Sequence, residues 1–267
     1  MYIGCLIILG FVSQTPAIEK CEPAETAFRS GQFERAFELG RLCLKQGVEN
    51  SEIYKLLALS AYVLQRADDF QTYMNRAIVL APGDGAPHYH LGRFFYEKKH
   101  YRDALNRFRK AVELDPENYR AYYFSGLCRQ GNNDEAGALD DYRKSIAIIE
   151  RGRIKYGWPF ADLADLLVLQ GELDKGISWS YRAVRNDPNL PYAHYVYAVA
   201  LMKKEASFEV EQELARAIQL DPGYTQAYYL LGRYYTKTGE KEKAKTAFAK
   251  FEELRQKPQP SPFGLRR

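Results

Sequence analysis

"YRDALNRFRKAVELDP", residues 101 to 116, carries a small residue at Ala104, a ring at Phe108, a second small residue at Ala111 and an Asp115–Pro116 stop. Spacings of i, i+4 and i+7 put the first three on one stripe of a helix. Small side chains there let a second helix come close, and the ring fills the space beside that contact. Pro116 lacks an N–H and pushes Asp115 out of the helical region, so the helix ends there. The stretch reads as the second half of a helical hairpin.

The same pattern recurs. "ELARAIQLDP" occupies 213 to 222, "MNRAIVLAP" ends at Pro82 and "SYRAVRNDP" ends at Pro188. Pro82 to Pro116 and Pro188 to Pro222 are each 34 residues; Pro116 to Pro188 is 72, two periods and a four-residue insertion near "IERGRIKYG". Aligned on that period, the eighth residue of every unit is small: Ala24, Ala58, Gly92, Gly126, Ala164, Ala198 and Gly232. The twentieth is small at Ala36, Ala104, Ala138, Gly176 and Ala244, with Phe70 and Val210 departing. The twenty-seventh is Cys43, Ala77, Ala111, Ser145, Ala183 and Ala217, then Phe251 in the last unit.

A 34-residue helix–turn–helix unit, small at 8, 20 and 27 and ending on proline at 32, resembles the tetratricopeptide repeat. The units fall at 17–50, 51–84, 85–118, 119–152, 157–190, 191–224 and 225–258. The chain departs from the pattern at Val48 and Glu150, where proline is expected, and at Ser125, where leucine is. The resemblance implies an all-α, right-handed α-solenoid of about six to seven hairpins. One hairpin cannot bury its own apolar face, whereas stacked hairpins share a core. In such a stack the 267 residues set the number of units, not of domains.

The ends carry separate information. "MYIGCLIILGFVSQTPA" has an apolar run from Tyr2 to Val12 and no acidic residue, with small residues at Thr15 and Ala17. The run is too short to span a bilayer and fits a secretory signal peptide over 1–17, giving an exported protein, periplasmic or secreted. The alternative is an apolar segment packed on the first repeat. Residues 259–267 form a proline-broken basic tail, expected to be disordered.

Export bears on the cysteines. Cys21 and Cys43 lie eleven residues either side of a turn at Gln32, which sets them side by side in an antiparallel hairpin. A Cys21–Cys43 disulfide is expected in an oxidising compartment. The alternative is a free Cys21, with Cys43 merely filling a small-residue position. Cys128 reads as a buried small hydrophobe.

Nothing in the sequence converges on catalysis. His88 and His90, two apart on a helix, point about 200° away from each other and cannot share a metal. No HExxH, CxxC pair, phosphate loop or GxSxG occurs. Asp140 and Asp141 read as a solvated helix face. Neither cofactor nor metal is expected.

What remains is surface. In the resembling repeats the first helix of each hairpin lines an inner wall, through the second, fifth, ninth and twelfth residues of the unit. Those places hold Tyr89, Arg93, Tyr96, Arg120, Tyr123, Trp158, Tyr192, Tyr195, Tyr229 and Arg233. A tyrosine and arginine wall suits capture of a protein or peptide, through large contact area and cation–π contacts. Tyrosines packed between hairpins are the alternative. Heat-shock cochaperones of this family clamp a terminal carboxylate with lysine, asparagine and arginine. Lys55 matches the first lysine, but Leu59, His90 and Phe124 occupy the other places, so that clamp is absent. A scaffold subunit of an envelope or secretion assembly is the second reading of function.

The net charge of +4 is too small to imply nucleic acid. From Gln226 onward ten Lys or Arg stand against four Glu, a net of +6. That basic end is either a solvated cap or a weak contact for an anionic partner or membrane headgroups.

Overall fold

The computed structural model describes residues 21–204 and 207–257. The expected signal segment and the basic tail lie outside the described residues. Among the described residues there are fourteen helices and no strand: α1 (Glu22–Arg29), α2 (Phe33–Lys45), α3 (Ser51–Val63), α4 (Ala67–Leu80), α5 (Ala86–Glu97), α6 (Tyr101–Leu114), α7 (Tyr119–Gly131), α8 (Glu135–Arg151), α9 (Trp158–Leu169), α10 (Leu173–Asn186), α11 (Pro191–Lys204), α12 (Phe208–Leu220), α13 (Thr225–Thr238) and α14 (Lys241–Arg255). The chain divides into two compact units, residues 1–91 and 92–267, with the division inside α5.

The opening stretch forms α6, and Ala104, Phe108 and Ala111 are completely buried. The Asp-Pro pair does more than stop the helix. The Asp115 carboxylate accepts the Glu117 N–H (3.1 Å), and the same turn repeats at Asp187 with the Asn189 N–H (3.3 Å) and at Asp221 with the Gly223 N–H (2.9 Å). Each aspartate thus satisfies a backbone donor just where the proline has removed the helix. Several helices then start on a side-chain cap. Asn50, Asn118 and Asp134 accept the N–H groups of Ile53 (2.9 Å), Ala121 (3.0 Å) and Gly137 (3.0 Å).

The eighth position obeys a volume rule with the twenty-fourth. A Cβ on Gly92 would lie 2.6 Å from the Phe108 ring, one on Gly126 2.5 Å from Tyr142, and one on Gly232 2.7 Å from Phe248. Where the eighth residue is alanine, the twenty-fourth is smaller than an aromatic: Met74 opposite Ala58, Ser180 opposite Ala164, Leu214 opposite Ala198, Gly40 opposite Ala24. Close-packed interiors enforce this kind of compensation.

In the first unit a core of Ala24, Ala27, Ala36, Cys43, Val48, Ile53 and Leu56 joins α1 to α3. Cys21 and Cys43 are joined as a disulfide across α1 and α2, with Cα atoms 5.9 Å apart. In the second unit consecutive first helices touch, α9 with α11 and α11 with α13. Among the described residues no pair of successive second helices is packed to that degree. The first helices therefore line one wall of that unit.

Two departures from the repeat pattern acquire a cause. Ser125 donates to Asp141 (2.6 Å), and Arg129 Nε donates to the same carboxylate oxygen (2.8 Å). Asp141 is buried, so the expectation of a solvated pair at 140 and 141 holds for Asp140 alone. The serine stands where leucine was expected because it faces a carboxylate. The four-residue insertion is clasped by one side chain: Asn186 accepts the Tyr156 N–H (2.8 Å) and donates to the Ile154 carbonyl (3.0 Å).

Candidate functional site

The wall of the second unit is built from α7, α9, α11 and α13, and its residues sort into three groups by burial. The first group lies inside. Tyr123 is fully buried, its hydroxyl donating to Asp162 Oδ2 (2.7 Å) and its ring packed edge-on to Phe124 and Tyr156. It belongs to the core and not to an open wall, because the insertion brings Tyr156 over it. Tyr89, in the first unit, is also buried at 7% exposure, edge-on to His90. Both depart from the surface role expected of the fifth position.

The second group is half-buried and held by neighbours. The Arg93 guanidinium sits 5.1 Å over the Phe124 ring and reaches Glu97 (3.4 Å). Tyr96 packs against Phe124 and Tyr101. Arg120 lies over the rings of Tyr119 (5.7 Å) and Tyr156 (5.6 Å), and its Nε donates to the Tyr119 hydroxyl (3.2 Å). Cations placed on ring faces are held by the ring quadrupole and keep their forks oriented.

The third group is half-buried at Trp158, Tyr192 and Tyr195 and exposed at Tyr229 and Arg233. Trp158 stacks on Tyr192, centroids 5.3 Å apart at 25°. The Tyr192 hydroxyl donates to Asp162 Oδ1 (2.8 Å), which fixes the ring from its far end. Tyr195 stands edge-on to Tyr224 (5.4 Å). Burial pushes its phenol above the usual range, the Asp165 carboxylate adds to that and the Arg233 guanidinium opposes it. Tyr229 is 45% exposed over Phe248 and Phe251, and Arg233 is exposed beside it on α13.

Asp162 is the residue that spacing did not select. It lies one place beyond the fifth position, 5% exposed, and accepts tyrosine hydroxyls from α7 and α11 at once. Its signal was present: an aspartate within the apolar helix "WPFADLADLLVL" must find donors when buried. Tyr156 was missed because insertions fall outside the repeat register.

Other titratable groups serve structure. The His194 ring is buried between Glu213 Oε2 (2.6 Å) and the Pro188 carbonyl (3.0 Å), tying α11 to α12. Burial, with the Asp141 charge, pushes the Cys128 thiol to about 12, so it stays protonated. Among the described residues no three His, Cys, Asp or Glu side chains converge as metal ligands, and no helix is long and apolar enough to cross a membrane.

These features define a repeat protein built of stacked helical hairpins. Two tetratricopeptide-repeat family profiles match the chain, one over residues 89–151 and one over 225–258, so the chain carries tetratricopeptide repeats. Superkiller protein 3 of Schizosaccharomyces pombe is 23% identical over 191 residues, 68% of this chain and only 13% of that relative's length. A solved tetratricopeptide repeat protein from Parabacteroides merdae superposes with a TM-score of 0.66 at 16% identity, covering 93% of this chain and 95% of its own. YrrB, described as a TPR protein with an unusual peptide-binding site, gives 0.53 at 23% identity, covering 72% of this chain and 95% of its own. The fold is that of an all-α tetratricopeptide solenoid.

Proposed function

We propose that the chain is a non-catalytic module that binds a protein or peptide on the first-helix wall of its second unit, and that it works outside the cytoplasm. The observation that carries the first part is the Trp158–Tyr192 stack, an aromatic platform spanning two successive hairpins. Tyr229 and Arg233 continue it on α13. These rings stay partly exposed beside a core filled by other residues. Aromatic anchors with arginine supply large contact area at low entropy cost. The pairing of Lys243, Lys250, Arg255 and Lys257 in the basic end with the hairpin's own glutamates supports a partner other than nucleic acid.

Immobilised full-length protein, challenged with extract from the native compartment and read by mass spectrometry, tests the wall. A partner should be retained by the wild type and by Tyr181→Ala, an exposed ring on α10. Trp158→Ala and Tyr229→Ala should lose it. Equal retention by all four sinks the assignment. The location is supported by the Cys21–Cys43 bond, which oxidising compartments sustain, and by the apolar start. Intact-mass measurement of the native protein should give a chain beginning near residue 18; an uncleaved Met1 rejects the signal.

A further inference from the structure

The last described hairpin keeps an apolar groove open between its two helices. Tyr228, Leu231 and Tyr235 of α13 form one side, and Thr246 and Ala247 of α14 the other, around an open depression of about 520 Å³. In the hairpins before it, the corresponding seat is filled: α11 packs on α9 and α10, and α13 on α11 and α12. The groove is thus shaped for a helix.

The charges around it say which one. Glu242 and Lys250 flank the small pair Thr246 and Ala247 on the same side of α14. Eight residues of helix separate them, about 12 Å. Glu242 has no ion-pair partner among the described residues, and Lys250 is held only by Glu253 at the end of its own helix (2.7 Å). A two-fold axis through Thr246 therefore sets Glu242 of each copy against Lys250 of the other. The small residues at the axis let the helices approach to about 8–10 Å. A surface that is its own complement under a two-fold is the mark of an isologous interface.

We propose that two copies of this chain pair through the α13–α14 groove, their α14 helices crossing antiparallel at Thr246. The pair is expected to form at micromolar concentration and to dissociate on dilution.

Sedimentation velocity of the full chain over about 1 to 200 μM tests this, with far-UV circular dichroism and thermal melting as fold controls. The mass should rise from one copy to two. Thr246→Arg, at an exposed position, should weaken pairing by about tenfold or more, and Glu242→Lys or Lys250→Glu alone by several-fold. The double variant Glu242→Lys with Lys250→Glu should restore pairing, since the two-fold then rebuilds both ion pairs. A monomer at every concentration overturns the proposal, as does a dimer indifferent to Thr246→Arg. Singles and double weakened alike reject the antiparallel arrangement. Removal of residues 258–267 should leave the dimer intact; a dimer that appears only on their removal makes that segment the natural occupant and overturns pairing in the native chain.

Discussion

In the first described hairpin α1 has eight residues, buries only Ala24 and Ala27, and is fastened to α2 by the Cys21–Cys43 disulfide. In the last, α13 and α14 have fourteen and fifteen residues and no covalent link. They bury Ala227, Leu230, Tyr234, Tyr235, Ala244 and Ala247 in one cluster with α11 and α12. The two hairpins are held together by different means. Eight residues cannot bury enough to offset their ordering entropy, so the unfolded chain is restrained instead. The longer pair relies on contacts present only when folded.

The largest effect should come from breaking the covalent side of this contrast. Reduction, or Cys43→Ser, should cost about 3 kcal/mol, the entropy of a loop of this length in the chain-entropy account. Hydrogen exchange should show α1 and α2 losing protection while α13 and α14 keep theirs. Equal loss at both ends would mean that the first hairpin is no local unit, and the contrast would fail.

The packed side breaks next. Gly232→Ala would drive a methyl into the Phe248 ring, 2.7 Å from where the Cβ must go. Overpacking should outweigh the gain in helix propensity and leave a loss of about 1.5 kcal/mol. Adding Phe248→Leu should recover it, because alanine with leucine is the combination of the preceding hairpin, Ala198 with Leu214. Failure of the leucine to rescue would show that the eighth and twenty-fourth positions are not coupled by volume.

A smaller loss should follow Tyr235→Phe. The Tyr235 hydroxyl donates to Glu211 Oε1 (2.6 Å), fastening α13 to α12, and burial and this carboxylate together raise the phenol well above its ordinary range. Removing one bond to a carboxylate that can be rehydrated should cost about 1 kcal/mol by chemical denaturation. No change would show that this hydroxyl adds nothing to the apolar packing and the Lys243–Glu211 ion pair that fasten this hairpin.

How far the sequence led follows from what each feature depends on. Hairpin order was legible because it rests on a fixed period of small residues and on Asp-Pro stops, both local in the chain. The proximity of Cys21 and Cys43 was legible because residues equidistant from the turn of an antiparallel hairpin lie side by side. The wall was legible only in outline. Trp158, Tyr192, Tyr195, Tyr229 and Arg233 keep partial exposure, whereas Tyr123 was drawn inward by an aspartate one unit away and a tyrosine from the insertion. Those contacts span 39 and 33 residues, so no periodic reading of one unit contains them. Asp141 escaped for a similar reason: its partners, Ser125 and Arg129, belong to the other helix of its hairpin.

The smallest effect concerns charge in the first unit, where Lys55 of α3 meets Asp84 ahead of α5 (2.7 Å). Burial alone would raise the Asp84 carboxyl, yet the Lys55 ammonium and the Ala86 N–H hold it below its ordinary value. Burial likewise works against the Lys55 ammonium, but Asp84 and Glu52 carry it above its ordinary value. A carboxyl depressed in the folded state contributes stability above its unfolded pKa of about 3.9, and that contribution fades as pH falls through the lower folded value. A raised lysine contributes below about 10.4 and loses this as pH climbs through its folded value. The pair should therefore stabilise the first unit evenly between about pH 4 and 10. Asp84→Asn keeps an acceptor for the Ala86 N–H and removes only the charge. It should cost less than about 1 kcal/mol at pH 7, since the pair is partly solvated. The gap between variant and wild type should narrow as pH falls below about 4. Denaturant titrations at pH 7 and pH 2.5 measure that gap directly. If it is the same at both, the charge of Asp84 does nothing for the fold.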